Sequence, residues 1–452
     1  MPFETPAQAE DFIFSSYMRV ESRLTGPDSQ TRTPALTRRL LDSLGEPDYN
    51  FTSILVTGSK GKGSIAFLTA RLLEALGYRV GLVTSPHLLN FRERIRLNGL
   101  AIPAEDLVRL VNKLEEPARE IIDSLSEDRY LSPTGLIIAV ASLYFAEQEV
   151  DFAVIEAGRG GRYDDSVVLD NPLALFGPVL LEHPDKLGAT LADIAATKVA
   201  LLKKGGVGIS VPQMPEAQTI MESWSFQVGG GFVVVGRDLT PVEPRIEGDK
   251  LNLAVQGRFN LFEDLALSIP ALYQAENLAV ALGAIEVVRD EQELQPYQKL
   301  RLREALAGLV WPGRMQTMTE QPLTVLDGTV ARQSARSVLG SLSGRLQKPL
   351  AAIVGVPADK DWQGVLQELV PYCDHLVLTR AANPGLKFPS EAAAYARSIF
   401  SATTIIEEAP DLAEARVRLA KRPQSPATIL ILGTQSLVAD TLRDFKFDLE
   451  QI

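Results

Sequence analysis

The sequence predicts an α/β protein in two units: a larger one on a mostly parallel sheet with a small β-rich insertion, then a smaller α/β one. Three observations carry this. The chain has 452 residues, more than one hydrophobic core usually organises. Short apolar, β-branched runs alternate with segments of helical spacing along most of it, the pattern of a parallel sheet covered on both faces. The strongest punctuation, Trp311-Pro312-Gly313, falls where that alternation pauses and restarts.

The elements follow in order. SILVTG is a short buried strand, and SIAFLTARLLEALG a helix closed by Gly77. YRVGLVTS is the next strand, and PAEDLVRLVNKLEEPAREIID an amphipathic helix with acids near its start. TGLIIAVASLYFAEQ is helical, VDFAVIEAG and LALFGPVLL are strands, LADIAATKVALL is a helix and GGVGISV a strand. From about residue 225 to 270 the texture becomes Gly-rich and alternating, predicting β structure, before YQAENLAVALGAIEVV returns to helix. Beyond Trp311, LTVLDG, PLAAIVGV, HLVLTRA and ATILILGT are strands separated by helical segments. The expected division is residues 1–308 and 309–452.

Composition narrows the function. With 46% hydrophobic and 23% charged residues and a net charge of −12, the chain has the make-up of a globular protein, and with no basic tract longer than a few residues it is not expected to bind nucleic acid. Cys373 is the one cysteine, which excludes a disulfide framework and a cysteine metal cluster. No apolar run reaches membrane-spanning length, and the acidic start MPFETPAQAEDF lacks a signal-peptide core. A cytoplasmic monomer with small-molecule substrates is expected.

The chemistry starts where the first strand meets Gly58-Ser59-Lys60-Gly61-Lys62-Gly63-Ser64. Glycines let loop N–H groups converge on an anion, a following helix N-terminus adds its dipole, and a lysine adds charge. The spelling is one residue short of G-x-x-x-x-G-K-[ST], and Gly63 intrudes before Ser64. It is therefore a variant nucleotide loop or a glycine-rich strand-to-helix turn. Ligands of open parallel sheets bind beyond the carboxyl ends of the strands. There Ser85, Glu156 and His183 emerge on the same edge as this loop. Singly, Ser85 caps a turn, Glu156 pairs with Arg159 or Arg162, and His183 satisfies a loop carbonyl. Together, beside a phosphate loop, they point to a Mg²⁺ site.

The chain resembles the folylpolyglutamate synthase/dihydrofolate synthase family, within the wider group of Mur-type ATP-dependent amide ligases, nearly end to end. VTGSKGKGS, GLVTSPHLLNFRERIRLNG, IEAGRGGRYD, LEHPDKLG, IAATKVALLKKG, WPGRM, VLDG, GVPADKD and LTRAANP carry the likeness. The second is the most specific. The resemblance implies a P-loop-type ATP-binding domain followed by a Rossmann-like domain on the amino-acid side. It implies that Lys62 and Ser64 hold ATP phosphates and Mg²⁺, that Ser85, Glu156 and His183 are second-metal ligands, and that Lys198 is carbamylated. Gln274 and Asn277 match positions near the nucleotide base, and Arg314 and Asp327 match contacts from the second domain. Without the resemblance, Lys198 reads as a solvated lysine on an amphipathic helix.

The reaction implied is amide formation through an acyl phosphate, with L-glutamate joining a folate or dihydropteroate. Phosphoryl transfer needs positioning and charge neutralisation, which glycine amides, Lys62, Arg314 and Mg²⁺ supply. Departures cluster at the site. Ser59-Lys60 stands where the family has Thr-Asn, Thr134-Gly135 where it has Phe-Glu, and Asp165-Ser166-Val167 where it has Ala-Thr-Asn. Glu182-His183-Pro184 replaces Asp-His-Thr, Thr197 replaces a Glu, and Asp327-Gly328-Thr329-Val330-Ala331 lacks the usual His-Asn pair. These keep two alternatives open: a ligase of the same mechanism with a non-folate substrate, and a catalytically impaired nucleotide-binding regulatory homologue.

Overall fold

The computed structural model describes residues 2–421 and 424–452. Its larger sheet has eight strands: β1 (Thr52–Thr57), β2 (Val80–Val83), β3 (Ile95–Leu97), β4 (Leu100–Ala101), β5 (Phe152–Glu156), β6 (Leu173–Phe176), β7 (Val207–Ser210) and β8 (Gly231–Val234). Their spatial order is β4-β3-β2-β5-β1-β6-β7-β8. All neighbours are parallel except β2–β3 and β3–β4. The mostly parallel sheet expected from the alternation is present, with an antiparallel hairpin at one edge. The central strand β1 is apolar on both faces, with Ile54, Leu55 and Val56 fully buried, because helices cover it above and below.

The helix Pro133–Glu147 is apolar around its whole circumference and correspondingly buried; Ser132 caps it by accepting from the Thr134 and Gly135 N–H groups. The segment from about residue 225 corrects the sequence expectation. Its first residues complete the helix Pro215–Gln227, and β8 then closes the main sheet. The separate β-rich insertion comprises β9 (Thr240–Glu247), β10 (Lys250–Gln256) and β11 (Leu261–Leu267) in one antiparallel sheet.

The second unit is a six-stranded sheet of β12 (Gln316–Glu320), β13 (Leu323–Asp327), β14 (Leu350–Gly355), β15 (His375–Leu378), β16 (Ile405–Glu408) and β17 (Thr428–Gly433). Its order is β12-β13-β17-β14-β15-β16, parallel apart from the edge strand β12. Two features tie the units together. Trp311 stacks on Phe67 of the helix Lys62–Ala75, ring centroids 4.3 Å apart and planes at 18°. Residues 449–452 return to the first sheet: Gln451 bridges Leu100, the Ala101 N–H donates to Glu450 O, and the Ile452 N–H to Gly99 O. Arg96, 2% exposed, donates to the carbonyls of Leu449 (2.8 Å) and Glu450 (3.3 Å).

Candidate active site

The loop after β1 bends at two glycines with positive φ, Gly58 (144°) and Gly61 (76°). At Gly58 a side chain is excluded outright, since a Cβ would lie 2.9 Å from Gly177 Cα. Gly61 turns the chain into the helix Lys62–Ala75, whose N-terminal amides face the loop. Ser59 Oγ accepts from the Leu180 N–H at 2.9 Å, fastening the loop to the segment after β6. Lys62 folds back, its Nζ donating to Gly58 O at 3.0 Å. Ser64 Oγ accepts from Gln274 Nε2 at 3.2 Å, and Gln274 Oε1 accepts from Asn277 Nδ2 at 2.9 Å. Gln274 is thus a buried support for Ser64.

Strand register assembles the rest of the edge. Val56 pairs with Glu156, Thr57 with Phe176 and Val83 with Ile155, so the ends of four strands lie level beside the loop. Glu156, 8% exposed, accepts from the Ser85 N–H at 2.9 Å. Burial pushes its carboxyl above the usual carboxylate range, and Lys62 and Arg314 pull it back. It also lies against the loop, since a Cβ on Gly63 would meet its Oε2 at 3.5 Å. His183 begins the short helix Pro184–Leu187 with a left-handed backbone (φ 45°). Its side chain is exposed, it makes no side-chain hydrogen bond to a described residue, and partial burial lowers its pKa.

These donors suit a hard cation. Glu156 is a buried carboxylate with a single hydrogen bond, and Ser64 and Glu156 present oxygen to the loop. Among the described residues no three His, Cys, Asp or Glu side chains form a ready cage. That fits an ion that keeps several waters and is completed by substrate phosphates.

Lys198 is fully buried on the helix Leu191–Val199. Its Nζ lies 3.1 Å from Glu182 Oε1 and donates to Arg159 O (3.1 Å) and Gly58 O (3.2 Å). Burial brings its pKa down to about 8, against the opposing pull of Glu182. Glu182 is the residue that sequence reasoning did not assign. Its place beside Lys198 becomes visible only once β6 ends early at Phe176, before Gly177-Pro178.

A cleft of about 890 Å³ separates the two units. Lys60, Gly61, Ser64 and Asn277 line it from the first, and Arg314 and Asp327 from the second. Lys60 is itself half-desolvated, which lowers its pKa. Gly328 makes room for Arg314: a Cβ there would come within 2.4 Å of Nη1. Asp327, raised in pKa by burial, accepts from the Met315 N–H (3.0 Å) and the Thr329 hydroxyl (2.5 Å). The cleft also exposes Lys360, Tyr273 and Arg443, of which only Lys360 lay within a motif noted from sequence.

Residues 313–435 match the family model for the Mur ligase glutamate ligase domain. Folylpolyglutamate synthase of Lacticaseibacillus casei is 30% identical over 330 residues, covering 73% of this chain and 77% of that protein. The chain belongs to the folylpolyglutamate synthase/dihydrofolate synthase family. The dihydrofolate synthase/folylpolyglutamate synthase of Mycobacterium tuberculosis is 28% identical over 386 residues, covering 82% of this chain and 79% of that one. A crystal structure of Mycobacterium tuberculosis folylpolyglutamate synthase complexed with ADP and AMPPCP superimposes with a TM-score of 0.84 at 25% identity, covering 96% and 99% of the two chains.

Two of the departures from the family pattern lie side by side. A Cβ at Gly135 would lie 2.1 Å from Thr37 Oγ1 and 3.2 Å from Asp165 Oδ1. Thr37 and Ser132 both donate to Asp165, at 2.7 and 2.6 Å, and Arg32 lies between Asp164 (3.2 Å) and Asp165 (3.6 Å). A family-type Glu at 135 would press a second carboxylate on buried Asp165. No helix among the described residues is long and apolar enough to cross a membrane.

Proposed function

We propose that this protein is an ATP-dependent amide ligase that works through an acyl phosphate and adds L-glutamate to a folate or dihydropteroate. The observation that carries the reading is the convergence of Lys62, Ser64 and Glu156 at the phosphate loop, with Glu156 under the electrostatic influence of Lys62 and of Arg314 from the second unit. In the reaction, a substrate carboxylate oxygen attacks the γ-phosphorus of ATP and ADP leaves. The amine of glutamate then attacks the acyl carbon, and inorganic phosphate leaves with the C–O electron pair. The loop amides and Lys62 orient the phosphates, and Arg314 offsets charge that develops at the transferred group. Mg²⁺, which Ser64, Ser85, Glu156 and His183 would hold in this reading, would supply charge neutralisation when bound. Lys198, with its lowered pKa, is the candidate for carbamylation. The working form in this reading is a cytoplasmic monomer whose units divide near residue 309.

A second reading, a ligase of the same mechanism with another carboxylate, is supported by the contact between Gly135 and the Thr37–Asp165 pair, where the side chain that the family carries at 135 would not fit. One experiment separates them. Purified protein with ATP and Mg²⁺ is screened against dihydropteroate, folates and unrelated carboxylates with L-glutamate, reading phosphate release and product mass. Glutamylated pterin supports the first reading, an amide of another acid supports the second, and phosphate release with no acceptor overturns both.

A further inference from the structure

The second unit holds a cavity of about 280 Å³ that shares no lining residue with the inter-unit cleft. It opens beyond the carboxyl ends of β14, β15 and β16, the place where an open parallel sheet receives ligands. Its size, at the lower end of small-molecule pockets, admits one compact molecule and no nucleotide. Trp362, Leu366, Leu378 and Phe388 make most of it apolar.

Two charged groups line it. Arg380 and Glu408 are exposed lining residues, and neither forms an ion pair or side-chain hydrogen bond with any described residue, the other included. One cation and one anion, unpaired at one cavity, match the carboxylate and ammonium of a zwitterion. The apolar interior excludes a charged side chain, which would be buried without a counter-ion.

We propose that this cavity is a second small-molecule site, taking a free L-α-amino acid with a compact apolar side chain. Its carboxylate meets Arg380, its ammonium meets Glu408, and its side chain enters between Trp362 and Phe388. The ligand is an effector and not a reactant, since no residue of the 58–64 loop lines the cavity. The segment 380–389 is a shared wall: Arg380 and Phe388 line the cavity, while Ala382, Asn383 and Leu386 line the cleft.

Calorimetric titration of the full chain without ATP tests the site, using L-leucine, L-phenylalanine and L-glutamate as probes. Saturable binding of leucine or phenylalanine, weakened at least tenfold in both Arg380→Ala and Glu408→Ala, is expected. Both charged residues are exposed, so these variants fold. The proposal is overturned if no apolar amino acid binds, if binding survives both charge removals, or if glutamate binds as well as leucine. None of these outcomes depends on ligase activity, so they are distinct from failure of the proposed reaction.

Discussion

Lys62 and Lys198 donate to the same acceptor, the carbonyl of Gly58, at 3.0 and 3.2 Å. Two cations thus converge from opposite sides on the residue that opens the phosphate loop. Glu182 offsets one of them, and the other is left to face the cleft side of the loop.

Lys62→Ala should lower substrate-dependent phosphate release by about 10²–10³-fold, the loss typical of removing one preorganised charge donor. The fold should persist, since Lys62 is only partly buried and packs no core. Circular dichroism and thermal melting check the fold. Undiminished phosphate release would remove the loop from the mechanism.

Lys198 sets a pH dependence whose sign is opposite to that of a paired carboxylate. Its folded pKa of about 8 lies below the ordinary 10.5, so between these values the unfolded chain binds more protons and stability rises with pH. In CO₂-free buffer, wild type minus Lys198→Met in urea-unfolding free energy should increase by about 2 kcal/mol from pH 7.5 to 9.5. A flat difference would mean the lysine is not desolvated in solution. With ¹³CO₂, a carbamate signal should grow through about pH 8, two units below an exposed lysine.

Glu156→Gln keeps the bond to the Ser85 N–H geometrically possible but removes the charge. The Mg²⁺ concentration for half-maximal activity should rise by about tenfold or more, since hard cations depend on carboxylate charge. His183→Ala tests whether the exposed imidazole joins the ion in the working enzyme. Wild-type Mg²⁺ titrations in both variants would make the two residues structural.

Arg96 is the anchor of the strap formed by residues 449–452. Arg96→Ala removes charged donors from the buried carbonyls of Leu449 and Gly99 and the partly exposed one of Glu450, and should cost about 2–3 kcal/mol in denaturant unfolding. It should also speed proteolysis after residue 445. Equal stability and equal cleavage rates would show that Arg96 does not anchor the strap and that its main-chain bonds hold it.

The parallel sheet, the phosphate loop and its helix were legible in the sequence because their causes are local. Ile54, Leu55 and Val56 need burial on both faces, and Gly58 and Gly61 supply the left-handed backbone that turns a strand into a helix N-terminus. Ser85, Glu156 and His183 were legible as candidates because strand ends can be read from apolar runs. Tertiary structure decided what each one meets. Register put Glu156 against the Ser85 amide, while His183 was left exposed on a left-handed turn. Lys198 looked like a surface lysine because its helix is amphipathic. Only the packing of that helix on the 58–64 loop buried it, lowered its pKa and gave it Glu182 as counter-charge. The helix Pro215–Gln227 was missed because its apolar residues pack sparsely on one side, whereas the glycines just after it dominate the local texture. Gly135 and Asp165, like Arg96 and Leu449, are far apart in the chain, so their coupling carries no local signal. Local sequence determined which elements form and where the phosphate loop lies; long-range packing determined which charges are buried, and burial is what turns these side chains into a candidate site.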